Sequence, residues 1–254
     1  MQDADIVALR DGHVMRLVID RPSKRNALNK AMYERLIALL AEADADDEIR
    51  AVVVTGAGGT FTAGNDLEDF RKPFDNMKEF PALRFVRTLA ALRTPLVAAV
   101  TGDAIGVGVT MLLHCDLVYA SRAARFRLPF VDLGLPPEAG STLLLPHRIG
   151  LAKASEIMLL CDAFDAEEAL RLGLVNRLCA GEEVESMALE AARRLSEKPR
   201  AALAATRRLL RGDAAAVAQR IEEEGALFAA ALTTREFRSR LEAFFARRPA
   251  SGDV

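Results

Sequence analysis

Residues 51–67 read AVVVTGAGGTFTAGNDL. The unbroken apolar and β-branched run at 51–55 marks a strand buried on both faces, as strands inside a parallel sheet are. Glycines at 56, 58 and 59 turn the chain, and 62–67 forms a loop of small residues. The same order returns further on. A second buried strand is expected at 96–100, a second glycine-rich turn at 102–108, a buried helix over 109–113 and a third strand over 117–120. Before this region, 6–9 and 14–19 read as two strands joined at Asp11-Gly12. Met32, Leu36, Leu39, Leu40 and Ala43 recur at helical spacing, and the acidic run 44–48 stops that helix. A further helix is expected over 77–92. Buried strands alternating with helices and glycine turns predict an α/β fold with parallel layering.

From about residue 185 the composition shifts to Ala, Leu, Arg and Glu, so the tail reads as helical, broken at 197–200 (EKPR) and at Gly212. The reading divides the chain into a core, 1–190, and a C-terminal helical region, 191–254. Leu227, Phe228, Leu232, Phe237, Leu241, Phe244 and Phe245 need cover, either from the same subunit or from another copy.

The 254 residues are 51% hydrophobic, enough to bury a core without a disulfide or metal staple. A net charge of -2 and the absence of Trp give no reason to expect nucleic acid or an anionic membrane surface as partner. Cys115, Cys161 and Cys179 are scattered, and His13, His114 and His147 lack ligand spacing, so no metal site is expected. The acidic start and the short apolar stretch at 104–113 resemble neither a signal peptide nor a membrane span, and a cytoplasmic location is expected.

No G-x-S-x-G elbow, Walker loop or H-E-x-x-H occurs. Glycines at 102, 106 and 108 do not form G-x-G-x-x-G; they fit better a helix packed closely on a strand. Two small-residue loops remain, 62–67 and 106–109. Each exposes backbone N–H groups, so together they are candidates for an oxyanion hole, although tight turns after strands are common. Glu138 lies in a Pro/Gly-rich loop, LGLPPEAGST at 133–142, and reads either as a catalytic carboxylate in apolar surroundings or as a helix-start residue.

Five segments in this order resemble the crotonase family, the enoyl-CoA hydratase/isomerase superfamily: RPSKRNALN (21–29), AVVVTGAGGTFTAGNDL (51–67), PLVAAVTGDAIGVGVTMLLHCDLVYAS (95–121), ARFRLPFVDLGLPPEAGSTLLLP (124–146) and AEEALRLGLVNRL (166–178). The resemblance implies a crotonase-like spiral of ββα units and a helical trimerisation region, with assembly as homotrimers or hexamers. It implies an acyl-CoA thioester substrate and an enolate held by two backbone N–H groups. By position these are the N–H groups of Asn65 and Val107. Lys24, Arg25, Ala27 and Leu28 match the family's CoA-binding loop. Ala63, Gly64, Asp66, Leu67 and Gly106 flank the two donors and are implied to bind the CoA or acyl part of the substrate, with Asp66 expected also to anchor its loop; Asp116 reads as structural. No cofactor is implied beyond the coenzyme A of the substrate.

The two glutamates of family hydratases would fall at Thr110 and Phe130, neither of which carries a carboxylate. The segments GNDL, GVGVT and LPFVDLGLPPEAGS resemble instead the Δ3,Δ2-enoyl-CoA isomerase branch, whose single carboxylate lies at Glu138. The implied reaction is a shift of a 3-enoyl double bond to trans-2-enoyl-CoA. Leu133, Leu135, Pro136 and Pro137 are expected to surround Glu138, and residues 70–85 to line the acyl pocket. The alternatives are a hydratase with divergent acid/base groups and a non-catalytic acyl-CoA-binding relative.

Overall fold

In the computed structural model residues 5–71 and 80–246 are described. The Asp11-Gly12 signal gives an antiparallel hairpin of β1 (Ile6–Asp11) and β2 (Val14–Ile19), with Gly12 at φ +58°. Helix α1 (Lys30–Ala45) starts at Asn29, whose side chain accepts from the Met32 N–H at 2.9 Å. Its buried face is the expected stripe with Tyr33 added.

Next come β3 (Ala51–Gly56), β4 (Leu96–Val100), β6 (Leu117–Ser121) and β9 (Arg177–Cys179). They extend β2 in parallel, giving a six-stranded sheet in the order β1-β2-β3-β4-β6-β9. The apolar runs of β3 and β4 are explained by cover on both faces. One face packs on α1 and on α2 (Pro81–Ala91). The other, through Val53, Val97 and Ala99, packs on Val184, Ala188 and Ala192 of α7 (Val184–Ser196). Fully burying a Val or Leu stabilises by about 1.5–3 kcal/mol, so α7 is integral to the core. The sequence boundary between 190 and 191 falls inside this helix.

The glycine-rich stretch 102–108 is more than a turn. It contains a short strand, β5 (Asp103–Ile105), pairing in parallel with β7 (Arg125–Arg127), which pairs antiparallel with β8 (Phe164–Asp165). Three residues carry no readable periodicity, and only their distant partners make them a strand. Thr62 bridges Ala104, and Ala104 pairs with Phe126, so three successive turns of chain stack at this layer. Each later turn runs large-sheet strand, small-sheet strand, helix: β4–β5–α3 (Val107–Thr110), then β6–β7–α4 (Ser141–Ile149). This is the ββα spiral. The helix expected over 109–113 is divided: α3 starts two residues earlier and passes into a 3₁₀ turn, Met111–His114. Helix α2 begins at Pro81; residues 77–79 of the expected helix lie outside the described residues.

Helices α5 (Leu151–Leu160) and α6 (Ala166–Arg171) lead to β9. The tail forms α8 (Arg200–Arg211), α9 (Ala214–Leu232) and α10 (Arg235–Ala246), with breaks at 197–199 and at Gly212 (φ +69°). Phe228, Phe237 and Leu241 pack into the main core of the same subunit. Leu209 and Leu210 of α8 remain 75% and 82% exposed. Buried Arg207 anchors α8: it donates to Asp116 at 2.7 Å and to the carbonyls of Leu92 and Arg93 at 2.6 and 2.7 Å. Asp116 also accepts from the Leu96 N–H at 2.8 Å, so its role includes tying β4 to the tail. No helix among the described residues is long and apolar enough to cross a membrane.

Candidate active site

Two loops meet because glycine lets them. Thr62 bonds through its backbone to both ends of β5: its N–H donates to the Asp103 carbonyl and its carbonyl accepts from the Ile105 N–H, both at 3.0 Å. A Cβ on Gly64, at φ +87°, would stand 2.7 Å from the Ile105 carbonyl, and one on Gly108 would stand 2.7 Å from Thr62 Cγ2. Glycine at 108 therefore serves close approach of α3 to the 62–67 loop.

That contact brings together the two loops that carry the candidate donors. The Leu28 N–H donates to the Gly64 carbonyl and the Asp66 N–H to the Leu28 carbonyl, both at 2.8 Å. By strand alternation the intervening Asn65 N–H faces away from Leu28. Val107 is the first residue of α3, where an N–H has no intrahelical acceptor. Neither N–H donates to a described residue. From α1, the Tyr33 hydroxyl donates to Asn65 Oδ1 at 2.6 Å and pins that side chain. Asp66 anchors its loop by accepting from the Glu68 N–H at 3.2 Å and from Arg21 at 2.7 Å.

A cavity of about 790 Å³ opens against these loops. Lys24, Arg25, Ala27, Ala63, Gly64, Asn65, Asp66, Leu67 and Gly106 line it. Leu28 and Val107 do not; each is 1% exposed, Leu28 serving as the strand partner of Asn65. The sequence reading missed several lining groups. Arg127 comes from β7, and Phe228, Arg240, Phe244 and Phe245 come from the tail. No local signal in the tail points toward a cavity formed mostly more than 100 residues earlier. Among the described residues the basic set is thus four, with Arg25 bonded to Asp103 and Arg127 to Asp132 at 2.8 Å. Lys24 and Arg240 form no ion pair with a described residue.

Glu138 lines a small recess that shares two walls, Asn65 and Phe228, with this cavity. Its surroundings differ from those expected. Phe80, Ala82, Leu83, Val86, Gly225 and Phe228 line the recess, from α2 and α9, whereas Leu133 and Leu135 line the larger cavity. Of the stretch expected to form an acyl pocket, Phe70 borders the large cavity, and Phe80, Ala82 and Leu83 border the recess; 72–79 lie outside the described residues.

The Glu138 side chain does not cap α4. It accepts a short hydrogen bond on Oε1 from the Thr110 hydroxyl, while Oε2 accepts from no described residue. Burial pushes this carboxyl up to about 8; the Thr110 bond opposes the shift and the Glu224 charge adds to it. Tyr33, fully buried with Glu138 and Asp69 in its field, is held well above the ordinary phenol range. Thr110 and Phe130, at the positions of the family's hydratase glutamates, have distinct placements: Thr110 is bonded to Glu138, and Phe130 borders the large cavity.

The turn after Glu138 is strained. Ala139 (φ +66°) and Gly140 (φ +69°) are both left-handed, which costs a non-glycine residue about 1 kcal/mol or more. The carbonyl of Ala139 is 2.8 Å from His114 Nε2, which acts as donor; burial lowers this imidazole to about 4, so it is neutral.

The family model described as Enoyl-CoA hydratase/isomerase matches residues 10–251. The chain is 40% identical over 179 residues to enoyl-CoA delta isomerase 2 of Rattus norvegicus, covering 68% of this chain and 46%, about half, of the rat protein. It is 30% identical to the short-chain-enoyl-CoA hydratase of Clostridium acetobutylicum, covering 99% of this chain and 98% of the relative. The crystal structure of an enoyl-CoA hydratase/isomerase from Pseudoalteromonas atlantica T6c superposes with a TM-score of 0.92 at 41% identity, covering 98% of this chain and all of that one. Sequence, fold and loop arrangement agree, and the chain belongs to the enoyl-CoA hydratase/isomerase family, with its crotonase fold.

Proposed function

We propose that the protein is an enoyl-CoA isomerase that moves a 3-enoyl double bond into conjugation, with Glu138 as single acid/base. One observation carries this reading. Of the three carboxylates that border the cavity and its recess among the described residues, Asp66 and Asp132 are each tied to an arginine, and only Glu138 is buried with an oxygen that accepts from no described residue.

Glu138 Oε2 takes a proton from C2 of the thioester. The C–H electron pair forms a C1–C2 double bond, conjugated with C3–C4, and displaces the carbonyl π pair onto the thioester oxygen, whose developing charge is received by the Asn65 and Val107 N–H groups. The resulting dienolate takes the same proton back from Glu138 at C4, leaving the double bond between C2 and C3. A carboxylate made more basic by burial suits abstraction of a weakly acidic proton. Hydration needs a second group to hold and activate water; Thr110 already gives its hydroxyl to Glu138, and Phe130 has none to give.

Lys24, Arg25, Arg127 and Arg240 suit the phosphates of coenzyme A, the only cofactor in this reading, carried by the substrate. The exposed Leu209 and Leu210 of α8 suit assembly into a homotrimer or hexamer, and the reading places the enzyme in the cytoplasm.

Purified protein is offered 3-hexenoyl-CoA and, separately, crotonyl-CoA, and absorbance of the conjugated thioester is followed. A rise from the first, lost in Glu138→Gln, is expected. Signal falling from the second with none gained from the first overturns the proposal, as does a Glu138→Gln rate within about tenfold of the parent.

A further inference from the structure

Helix α9 reaches back to the turn that carries Glu138. Glu224, 4% exposed, accepts from the Gly140 N–H on Oε2 at 2.6 Å. Its Oε1 accepts from the Thr142 N–H at 2.9 Å and from the Thr142 hydroxyl at 2.6 Å. Arg220, one turn earlier on α9, donates to Thr142 Oγ1 at 3.1 Å rather than to Glu224. Three donors thus converge on one buried carboxylate. An N-cap side chain ordinarily satisfies the first N–H groups of a helix, yet the cap position of α4 is Gly140 and carries none. The acceptor comes instead from the tail, and the next residue, Gly225, forms a wall of the Glu138 recess.

We propose that Glu224 is a positioning residue for Glu138: it holds the left-handed Ala139-Gly140 turn from one side while His114 holds it from the other, and so aims the base at the cavity. The inference rests on the isomerase reading. A left-handed Ala139 persists only where its surroundings hold it, and the Glu224 and His114 bonds flank it directly. Both oxygens of Glu224 are in use, a demand an amide, with its one acceptor oxygen, cannot meet.

Glu224 also places a second carboxylate in the field of the first, and burial raises both. Among the described residues the groups facing Glu138 are Tyr33 from α1, Thr110 from α3 and Glu224 from α9; α2 presents only apolar side chains to the recess. Arg220 is the cation acting on Glu224. Removing the Glu224 charge therefore makes Glu138 easier to ionise, and the acid limb of kcat moves to lower pH. A role confined to folding leaves that limb in place.

The test measures kcat and KM against pH with 3-hexenoyl-CoA for the parent, Glu224→Gln, Thr142→Val and Glu138→Gln. For Glu224→Gln, kcat is expected to drop by at least ~10-fold from misaimed base. KM should stay within about threefold, and the acid limb should shift down by about half a pH unit or more. Thr142→Val removes one of the three donors and should move kcat the same way by less. A Glu224→Gln profile that keeps the parent's kcat, or loses kcat with the limb unmoved, overturns the assignment. If Glu224→Gln does not fold, Thr142→Val decides, an unaltered kcat overturning it. An active Glu138→Gln sinks the isomerase reading and this inference together, whereas an inactive one beside a silent Glu224→Gln sinks this inference alone.

Discussion

The raised titration of Glu138 has a consequence for folding that needs no substrate. Its carboxyl ionises near 8 in the native protein against an ordinary glutamate value of 4.5. The native state therefore holds a proton that the unfolded chain releases across that interval, and stability falls as pH rises. The contribution is fully present below 4.5 and is lost progressively as pH climbs through 8. Each pH unit in the interval is worth 1.36 kcal/mol, and integration over both titrations puts the loss between pH 5 and pH 9 at about 4 kcal/mol. Glu138→Gln keeps the shape and removes the titration. Urea unfolding of parent and variant at pH 5, 7 and 9, at one protein concentration to hold any assembly constant, measures the difference. The variant should gain on the parent by about 4 kcal/mol from pH 5 to pH 9, because every other titrating group is common to both. Two stability curves that stay parallel within about 1 kcal/mol would refute a buried, strongly raised Glu138.

Four further outcomes follow from the same geometry. Thr110→Val removes the hydrogen bond that favours the charged form of Glu138, so the acid limb of kcat should move to higher pH; a limb unmoved or moved down counts against the bond. Val107→Pro deletes one donor N–H at a helix position where proline is tolerated, and kcat should fall by about 10²–10³ with the fold retained by circular dichroism. Gly108→Ala drives a methyl against Thr62, separating the two loops, and should lower both stability, by about 1–3 kcal/mol, and kcat. Arg207→Met removes the buried guanidinium from Asp116 and from the Leu92 and Arg93 carbonyls, leaving half-buried Asp116 to Arg211 and the Leu96 N–H, and should cost about 1–3 kcal/mol in denaturant unfolding, with the residual activity of folded protein little changed.

Local pattern was enough where one element carries its own signal. The five-residue apolar runs of β3 and β4, the stripe of α1 and the break at Gly212 are each decided by neighbours within one or two turns of chain. The same holds for the small-residue loop at 62–67, since a backbone N–H is available wherever side chains leave it open. Matters decided between distant segments were not legible. Strand β5 is three residues, and it exists because Thr62 and Phe126 lie beside it. The recess around Glu138 was misread because nearby Leu133 and Leu135 face the larger cavity, while α2 and α9 supply the recess walls. Thr110, read only as a missing glutamate, turns out to bond to the carboxylate that is present.

By itself, then, the sequence determined the long strands β1 to β4 and β6, helix α1, the helical tail and the two small-residue loops, because burial periodicity and glycine placement are properties of contiguous residues. Glu138 it left open between a catalytic carboxylate and a helix-start residue, and the family resemblance favoured the first. Tertiary structure alone decided how basic Glu138 is, what shields it and what holds its turn. Those depend on desolvation and hydrogen bonds contributed by α1, α2, α3 and α9, which the chain brings together only by completing its spiral and folding the tail back onto it.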